Sequence, residues 1–297
     1  MDAHLHPFLF NWYNEYIGGI KMKTLTDTYK LHNGVLMPKI GFGTWQVPSG
    51  DIAYESAAMA LKNGYRHIDT AAAYRNEASV GKAIRDSKIP RNEIFVTSKL
   101  HSHIKSYDET LAAFDQTMKE LGLDYLDLYL IHAPWPWNEM GKDCREGNVQ
   151  AYKAMEKIYK SGRVKAIGVS NFDVKDLQNI IDHCEIVPHA NQIAFFIGNN
   201  QAETDKFCKE HNILVEAYSP LAIGYALSNE HIIQMAEKYK KTPAQICIRY
   251  CIEKGTAPLP KSTKEHRIIE NSQVDFKMDE KDIKFLDTIK DDPRKWN

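Results

Sequence analysis

The sequence predicts an α/β fold: a single (β/α)8 barrel of the TIM type, with an N-terminal β-hairpin capping the barrel bottom. Three observations carry this expectation. After residue 28, eight short β-rich runs alternate with amphipathic helical stretches without a break. The runs are continuously apolar, as strands buried on both faces of a parallel sheet must be. About 270 residues over eight units is roughly 34 per unit, the size of a βα repeat.

Each element has its own signal. In TYKLHNGVLMP (28–38), Asn33-Gly34 sits between two short alternating runs, which predicts the hairpin. The eight strands read as IGFGTW (40–45), RHIDT (66–70), EIFVTSKL (93–100), LDLYLIH (126–132), VKAIGVS (164–170), HANQIAF (189–195), ILVEAYS (213–219) and APLP (257–260). Helices are expected over 51–63, 78–87, 107–121, 149–161, 174–181 and 202–211, with Gly64, Gly122 and Gly162 as stops. The segment 231–253 carries Pro243 at a helix N1 position and so reads as two pieces. Helices over 265–271 and 279–289 close the chain. An open doubly wound sheet would need a dinucleotide fingerprint after its first strand. IGFGTW lacks the third Gly and the helix start of that motif.

Composition narrows the function classes. The chain has 297 residues, 43 % hydrophobic and 26 % charged, which excludes disordered, collagenous and disulfide-scaffold proteins. Lys plus Arg total 38 and Asp plus Glu 39, so no strong field favours nucleic acid or an anionic membrane. The five cysteines, Cys144, Cys184, Cys208, Cys247 and Cys251, lack metal-ligand spacing, and no metal is expected. Cys247 and Cys251, four apart in a helical pattern, read as small buried hydrophobes, and a reducing, cytoplasmic compartment is the expectation. No apolar run approaches the roughly 18 residues needed to span a bilayer. Residues 1–21 read as an extra N-terminal segment, tag-like or following a misassigned start, and Met22-Lys23 as the start of one domain over 22–297.

In a barrel of this kind, chemistry sits at the C-terminal ends of the strands. The second strand ends in Asp69, with Tyr74 five residues on; the third ends in Lys99 and the fourth in His132. Each ionisable group follows a run too apolar to tolerate it unless it is paired or functional. Together they form a set for protonating an oxygen while something attacks the carbon. A Tyr is a poor acid near neutrality, an adjacent ammonium lowers its pKa, and a carboxylate holds that ammonium charged. A neutral His can donate to a carbonyl oxygen. No Gly-x-Ser-x-Gly elbow competes.

The attacking species must come from a cofactor, and the late strands suggest where it sits. Ser170, Asn171 and Gln192 could hold a carboxamide, and the face of Tyr218 could stack on a planar heterocycle. After the eighth strand, Lys261, Ser262 and Arg267 surround a helix start, with Glu270 and Asn271 one turn on, as in a recurring phosphate site of such barrels.

These motifs together make the sequence similar to the aldo-keto reductase family. The resemblance covers nearly all of residues 28–290. It rests on GYRHIDTAAAYRNE, FVTSKL, DLYLIH, KAIGVSNF, AYSPL and PKSTKEHRIIEN, in the family's order. Within the family the chain resembles the bacterial branch of 2,5-diketogluconate and glyoxal or methylglyoxal reductases. The resemblance implies Tyr74 as general acid, Lys99 paired with Asp69 to lower its pKa, and His132 to orient a substrate carbonyl. It implies NADP(H), with Thr44, Ser170, Asn171, Gln192, Tyr218, Ser219 and Leu221 as cofactor-binding residues; of these, Ser170, Asn171 and Gln192 would bind the nicotinamide carboxamide and Tyr218 would stack on the ring. Lys261, Ser262 and Arg267 would hold the 2′-phosphate, and Glu270 and Asn271 the adenine. The hydride would pass directly to the carbonyl carbon, and a monomer is expected.

Three stretches and the tail depart from the family pattern. Relatives usually carry Glu and a Phe-His-Pro run where this chain reads Ala194-Phe195-Phe196-Ile197-Gly198. A Trp-Pro usually follows the His, whereas here the chain reads Ala133-Pro134-Trp135-Pro136-Trp137. His101 stands where a Trp is common, and the tail DDPRKWN is short. Trp45, His101, Trp135 and Trp137 are therefore the substrate-pocket candidates, suited to a small or extended apolar carbonyl. Two other functions fit the same barrel. One is an NADPH-binding, non-catalytic sensor or subunit, which loss of Tyr74 or Lys99 would have favoured. The other is a phosphate-binding isomerase or lyase without nucleotide, which Gln192 and Tyr218 disfavour.

Overall fold

The computed structural model describes residues 23–290. The segment 1–21 and the tail DDPRKWN lie outside the described residues. A short helix α1 (Lys23–Thr26) leads into an antiparallel pair, β1 (Thr28–Lys30) and β2 (Leu36–Pro38). Eight parallel strands follow: β3 (Phe42–Gly43), β4 (His67–Asp69), β5 (Phe95–Leu100), β6 (Leu128–Ile131), β7 (Ile167–Ser170), β8 (Ala190–Ala194), β9 (Leu214–Tyr218) and β10 (Ala257–Leu259). Each pairs with the next in chain order. The ring closes where Gly41 N donates to Pro258 O (3.0 Å) and Gly43 N to Pro260 O (3.0 Å). No helix among the described residues is long and apolar enough to cross a membrane.

The connecting helices are α2 (Asp51–Lys62), α3 (Glu77–Asp86), α4 (Tyr107–Leu121), α5 (Arg145–Lys160), α6 (Val174–His183), α7 (Ala202–Glu210), α8 (Glu230–Tyr239), α9 (Pro243–Glu253), α10 (Glu265–Ser272) and α11 (Glu280–Leu286). The break expected at Pro243 is present: Thr242 caps α9 in a reciprocal box with Gln245, and Pro243 takes N1. Gly122, at φ 62°, ends α4. Most boundaries differ from expectation by three residues or fewer, and two differences have a polar cause. Helix α5 begins at Arg145, four residues before the apolar pattern does, because its first turn is held by polar contacts of Asn148. The hairpin turn is five residues long, 31–35, not the two-residue turn that Asn-Gly suggests. Leu31 leaves the ladder to be buried, and Asn33 folds back to accept from Val35 N (3.2 Å).

The hairpin covers the N-terminal end of the barrel, as expected. Leu31 and Met37 pack on Phe95, Leu128, Leu130, Ala166, Ala190 and Ala257, near the beginnings of the strands. Each of these two side chains contributes about 1.5–3 kcal/mol by leaving water. Asn33 Nδ2 donates to Lys165 O (2.9 Å), and the His32 and His189 rings stack with centroids 4.4 Å apart. The other end of the barrel is left to the loops that follow the strands.

Between strands and helices lies the main apolar core. Helix α3 meets the end of α4 at Gly81, where a Cβ would lie 1.9 Å from Leu121 O. That atom is backbone and cannot swing away. Gly81→Ala is therefore expected to lower stability by about 1–3 kcal/mol through forced separation of the two helices. Thermal unfolding checks this; an unchanged Tm would show that α3 shifts freely.

Candidate active site

Asp69, Tyr74, Lys99 and His132, the tetrad, assemble as the strand ends require. Lys99 is fully buried on β5, all six of whose residues are buried. Its ammonium donates to Asp69 Oδ1 (2.7 Å), Asp69 Oδ2 (2.8 Å), Thr70 O (2.8 Å) and the Tyr74 hydroxyl (3.3 Å). Burial alone would discharge it, but Asp69 and the other nearby oxygens more than offset that and hold it protonated. His132 follows β6, with its ring edge-on to Tyr74 at 5.4 Å between centroids. Burial, and then the charge on Lys99, keep its pKa well below the usual histidine value, so the ring is neutral. Its Nδ1 is buried without a hydrogen-bond partner among the described residues.

Burial adds a second influence to that of Lys99 on Tyr74. Lys99 does pull the Tyr74 hydroxyl down, through its charge and its hydrogen bond, but burial is the larger influence. The net shift is upward, and Tyr74 is held as the neutral phenol.

Tyr74 owes its place to a residue that the sequence reading did not single out. It ends a single helical turn, and the left-handed Arg75 (φ 57°) follows. Asn76, fully buried, then pins the turn: it accepts from Thr70 Oγ1 (2.8 Å) and donates to Thr44 O (3.0 Å) and Val47 O (3.1 Å). This also braces the loop that carries Trp45, which is 43 % exposed. Thr44 is buried and donates to Asp69 O (2.9 Å).

The expected carboxamide residues form one hydrogen-bonded chain. Ser170 Oγ donates to Gln192 O (2.8 Å), and Asn171 Nδ2 donates to Ser170 Oγ (3.0 Å) and His132 O (3.0 Å). The Tyr218 hydroxyl donates to Asn171 Oδ1 (2.8 Å). Gln192 reaches inward, its Nε2 donating to Asp69 Oδ2 (2.8 Å) and Glu216 Oε2 (3.2 Å). Glu216, fully buried mid-strand on β9, is the second residue that the reading missed. The signal is a lone carboxylate inside the apolar run ILVEAYS, away from the strand end where the other ionisable candidates stand. Ser219 and Leu221 follow β9, half-buried.

The outlying candidates divide. Lys261 and Arg267 are exposed around the start of α10, with Ser262 buried between them. Neither cation is ion-paired to another described residue. Asn271 is buried, while Glu270 accepts from the Thr242 hydroxyl that caps α9 (2.5 Å), so its carboxylate already has a structural duty.

On the rim, Trp137 sets its ring edge-on to His132 (5.7 Å) and to Trp135 (5.0 Å). Lys105 and Asn148 anchor the start of this loop: Lys105 Nζ donates to Ala133 O and Asn148 Oδ1 (both 2.7 Å), and Asn148 Nδ2 to Pro134 O (2.9 Å). His101 contacts His103 instead of the tryptophans, with their Nδ1 atoms 2.6 Å apart. The atypical segment after β8 turns inward: Phe195, Phe196 and Ile197 are buried in the main core.

Comparison with known proteins agrees with this geometry. The chain matches the model of the Aldo/keto reductase family over residues 39–291. It is 46 % identical over 272 residues to a glyoxal reductase of Bacillus subtilis (strain 168), covering 91 % of this chain and 95 % of that protein. It is 42 % identical over 268 residues to a 9,11-endoperoxide prostaglandin H2 reductase of Trypanosoma cruzi (strain CL Brener), covering 89 % and 92 %. Among solved structures, an aldo-keto reductase from a Medee basin deep-sea metagenome library superimposes with a TM-score of 0.83 at 43 % identity, covering 89 % of this chain and 95 % of that one.

Proposed function

Since the chain belongs to the aldo/keto reductase family, we propose that it reduces small aldehydes, ketones or α-dicarbonyls to alcohols with NADPH, Tyr74 giving the proton. The observation that carries this is the Lys99 ammonium, clamped by both oxygens of Asp69 and 3.3 Å from the Tyr74 hydroxyl. That hydroxyl is a proton donor with a fixed cation behind it. As the proton leaves, the phenolate forms against Lys99, where the charge is stabilised without reorganisation. Neutral His132 offers an N–H to the carbonyl oxygen and orients it towards Tyr74.

The residues fit a nicotinamide dinucleotide. The Gln192 N–H groups are spent on carboxyl oxygens, so its carbonyl oxygen is the part left to accept from a carboxamide. The cofactor, when bound, supplies the hydride. Ser170, Asn171 and Tyr218 would line the nicotinamide with it, and Thr44, Ser219 and Leu221 would also bind the cofactor. Lys261, Ser262 and Arg267 suit a 2′-phosphate, and Asn271, with Glu270, the adenine. Trp45, His101, Trp135 and Trp137 would receive the carbonyl compound. α-Dicarbonyls are the leading substrate class, from the likeness to the glyoxal reductase. The same reading takes 22–297 as one domain and the protein as a cytoplasmic monomer.

Loss of NADPH absorbance with methylglyoxal, phenylglyoxal, a nitrobenzaldehyde, a diketo sugar acid and a steroid ketone tests the proposal. Turnover of the dicarbonyls is expected. Tight NADPH binding with no turnover of any compound would replace it by the sensor or subunit reading. Selection of NADPH over NADH has its own test. Arg267→Ala removes a charge-assisted contact worth about 1.5–3 kcal/mol, so the preference should fall about 10- to 100-fold. An unchanged ratio of the two affinities would remove Arg267 from the phosphate site.

A further inference from the structure

The barrel interior beneath Tyr74 holds one ammonium, Lys99, and two carboxyl groups, Asp69 and Glu216. Asp69 takes the cation with both oxygens, at 2.7 and 2.8 Å. Glu216 has no cation of its own. Its Oε1 lies 3.6 Å from His67 Nε2 and has no hydrogen-bond partner among the described residues. His67 is no counter-charge, since burial, helped by Lys99, pushes its pKa down to about 3. A second anion here would be buried and unmatched, which a protein avoids by protonating it. Burial, and then the charge on Asp69, push the Glu216 carboxyl up to about 8. The groups facing it are His67 and Asp69 from β4, Tyr74 from the turn after β4, Lys99 from β5 and Gln192 from β8. Its register neighbour on β10 is Ala257.

Gln192 joins the two carboxyl groups. One amide N–H goes to Asp69 Oδ2 (2.8 Å) and the other faces Glu216 Oε2 (3.2 Å). A reversed amide would aim its oxygen at the ionised Asp69, so the pair of acceptors selects one orientation. We infer that Glu216, as a neutral carboxyl, is a positioning residue: with Asp69 it fixes the Gln192 amide so that the amide oxygen is presented to the nicotinamide carboxamide. This rests on the reading that Gln192 meets that carboxamide. It adds a consequence. Ionised Glu216 would place one more negative charge in a low-dielectric interior, favouring the positively charged oxidised nicotinamide over the neutral reduced ring.

The test is fluorescence titration with NADPH and with NADP+, which needs no turnover. Glu216→Leu removes the acceptor and should weaken both about tenfold. Glu216→Gln restores an acceptor and should recover affinity to within about twofold. In the unmodified protein, affinity for NADP+ relative to NADPH should rise about threefold or more between pH 7 and 9. In Glu216→Gln it should stay flat. A Glu216→Leu protein that is folded by circular dichroism and binds as tightly as the unmodified one would overturn the inference. If that variant does not fold, the pH series decides: a flat ratio in the unmodified protein, or the same rise in Glu216→Gln, would overturn it. An unmodified protein that binds neither cofactor would instead defeat the reductase reading itself, and this inference with it.

Discussion

Tyr74→Phe is expected to lower carbonyl reduction by about 10²- to 10⁴-fold, the range a positioned general acid supplies. The substitution deletes one oxygen and keeps the ring. The ring's edge contact with His132 survives, and the turn that carries it is pinned by Asn76, which does not touch the hydroxyl. Binding of NADPH should therefore change by less than about twofold, and the loss should appear in kcat. Burial keeps the hydroxyl protonated at neutral pH, so the acid is loaded in the resting protein. On the proposed mechanism Lys99 would matter at the next moment, when a phenolate would form 3.3 Å from the ammonium. Turnover retained in Tyr74→Phe would assign the proton to another donor, with Lys99 and His132 the neighbours to examine.

Lys99→Met should cost both activity and stability, which separates it from Tyr74→Phe. Turnover should fall by about 10²-fold or more, because the phenolate loses its stabilising cation. Stability should fall by about 3–5 kcal/mol, the usual result of leaving one half of a buried ion pair behind. Asp69 is 3 % exposed and would then face Gln192 and the turn of Thr70 with no counter-charge. Adding Asp69→Asn should recover much of the stability and none of the turnover. Thermal unfolding and NADPH-coupled assays on the single and double variants check this. Full stability in Lys99→Met would mean that Asp69 takes up a proton at little cost.

The barrel and tetrad were legible because their signals are local and repeated. Eight apolar runs, each followed by a helical pattern, admit few layouts, and Asp69, Lys99 and His132 each interrupt such a run at its end. What stayed hidden depends on contacts far apart in sequence. Asn76 looks like an ordinary loop residue until the fold brings Thr44 and Val47 to it. Asn148 belongs to a polar stretch without periodicity, yet it is buried because Lys105 and Pro134 O meet it there. The upward shift of Tyr74 is hidden in the sequence for a related reason. The neighbouring Lys99 is visible in the sequence, but the depth of burial that outweighs it is not.

The ring's closure has a consequence for how the far end of the chain is placed. Along the seam, the N–H groups of Gly41, just before β3, and of Gly43, in β3, meet the carbonyls of Pro258, in β10, and of Pro260, just after it. Prolines carry no N–H, so the closing bonds at those two residues run in one direction only. A slip of one residue would bring Leu259 O opposite the donors and turn every side chain of β10 to the wrong face. The glycines narrow the choice further, since a Cβ at Gly43 would sit 3.0 Å from Leu259 O. The seam therefore acts as a mechanical datum. Lys261 and Ser262 follow Pro260 directly, and their distance from Tyr74 is set by the register of the ring more than by their own loop.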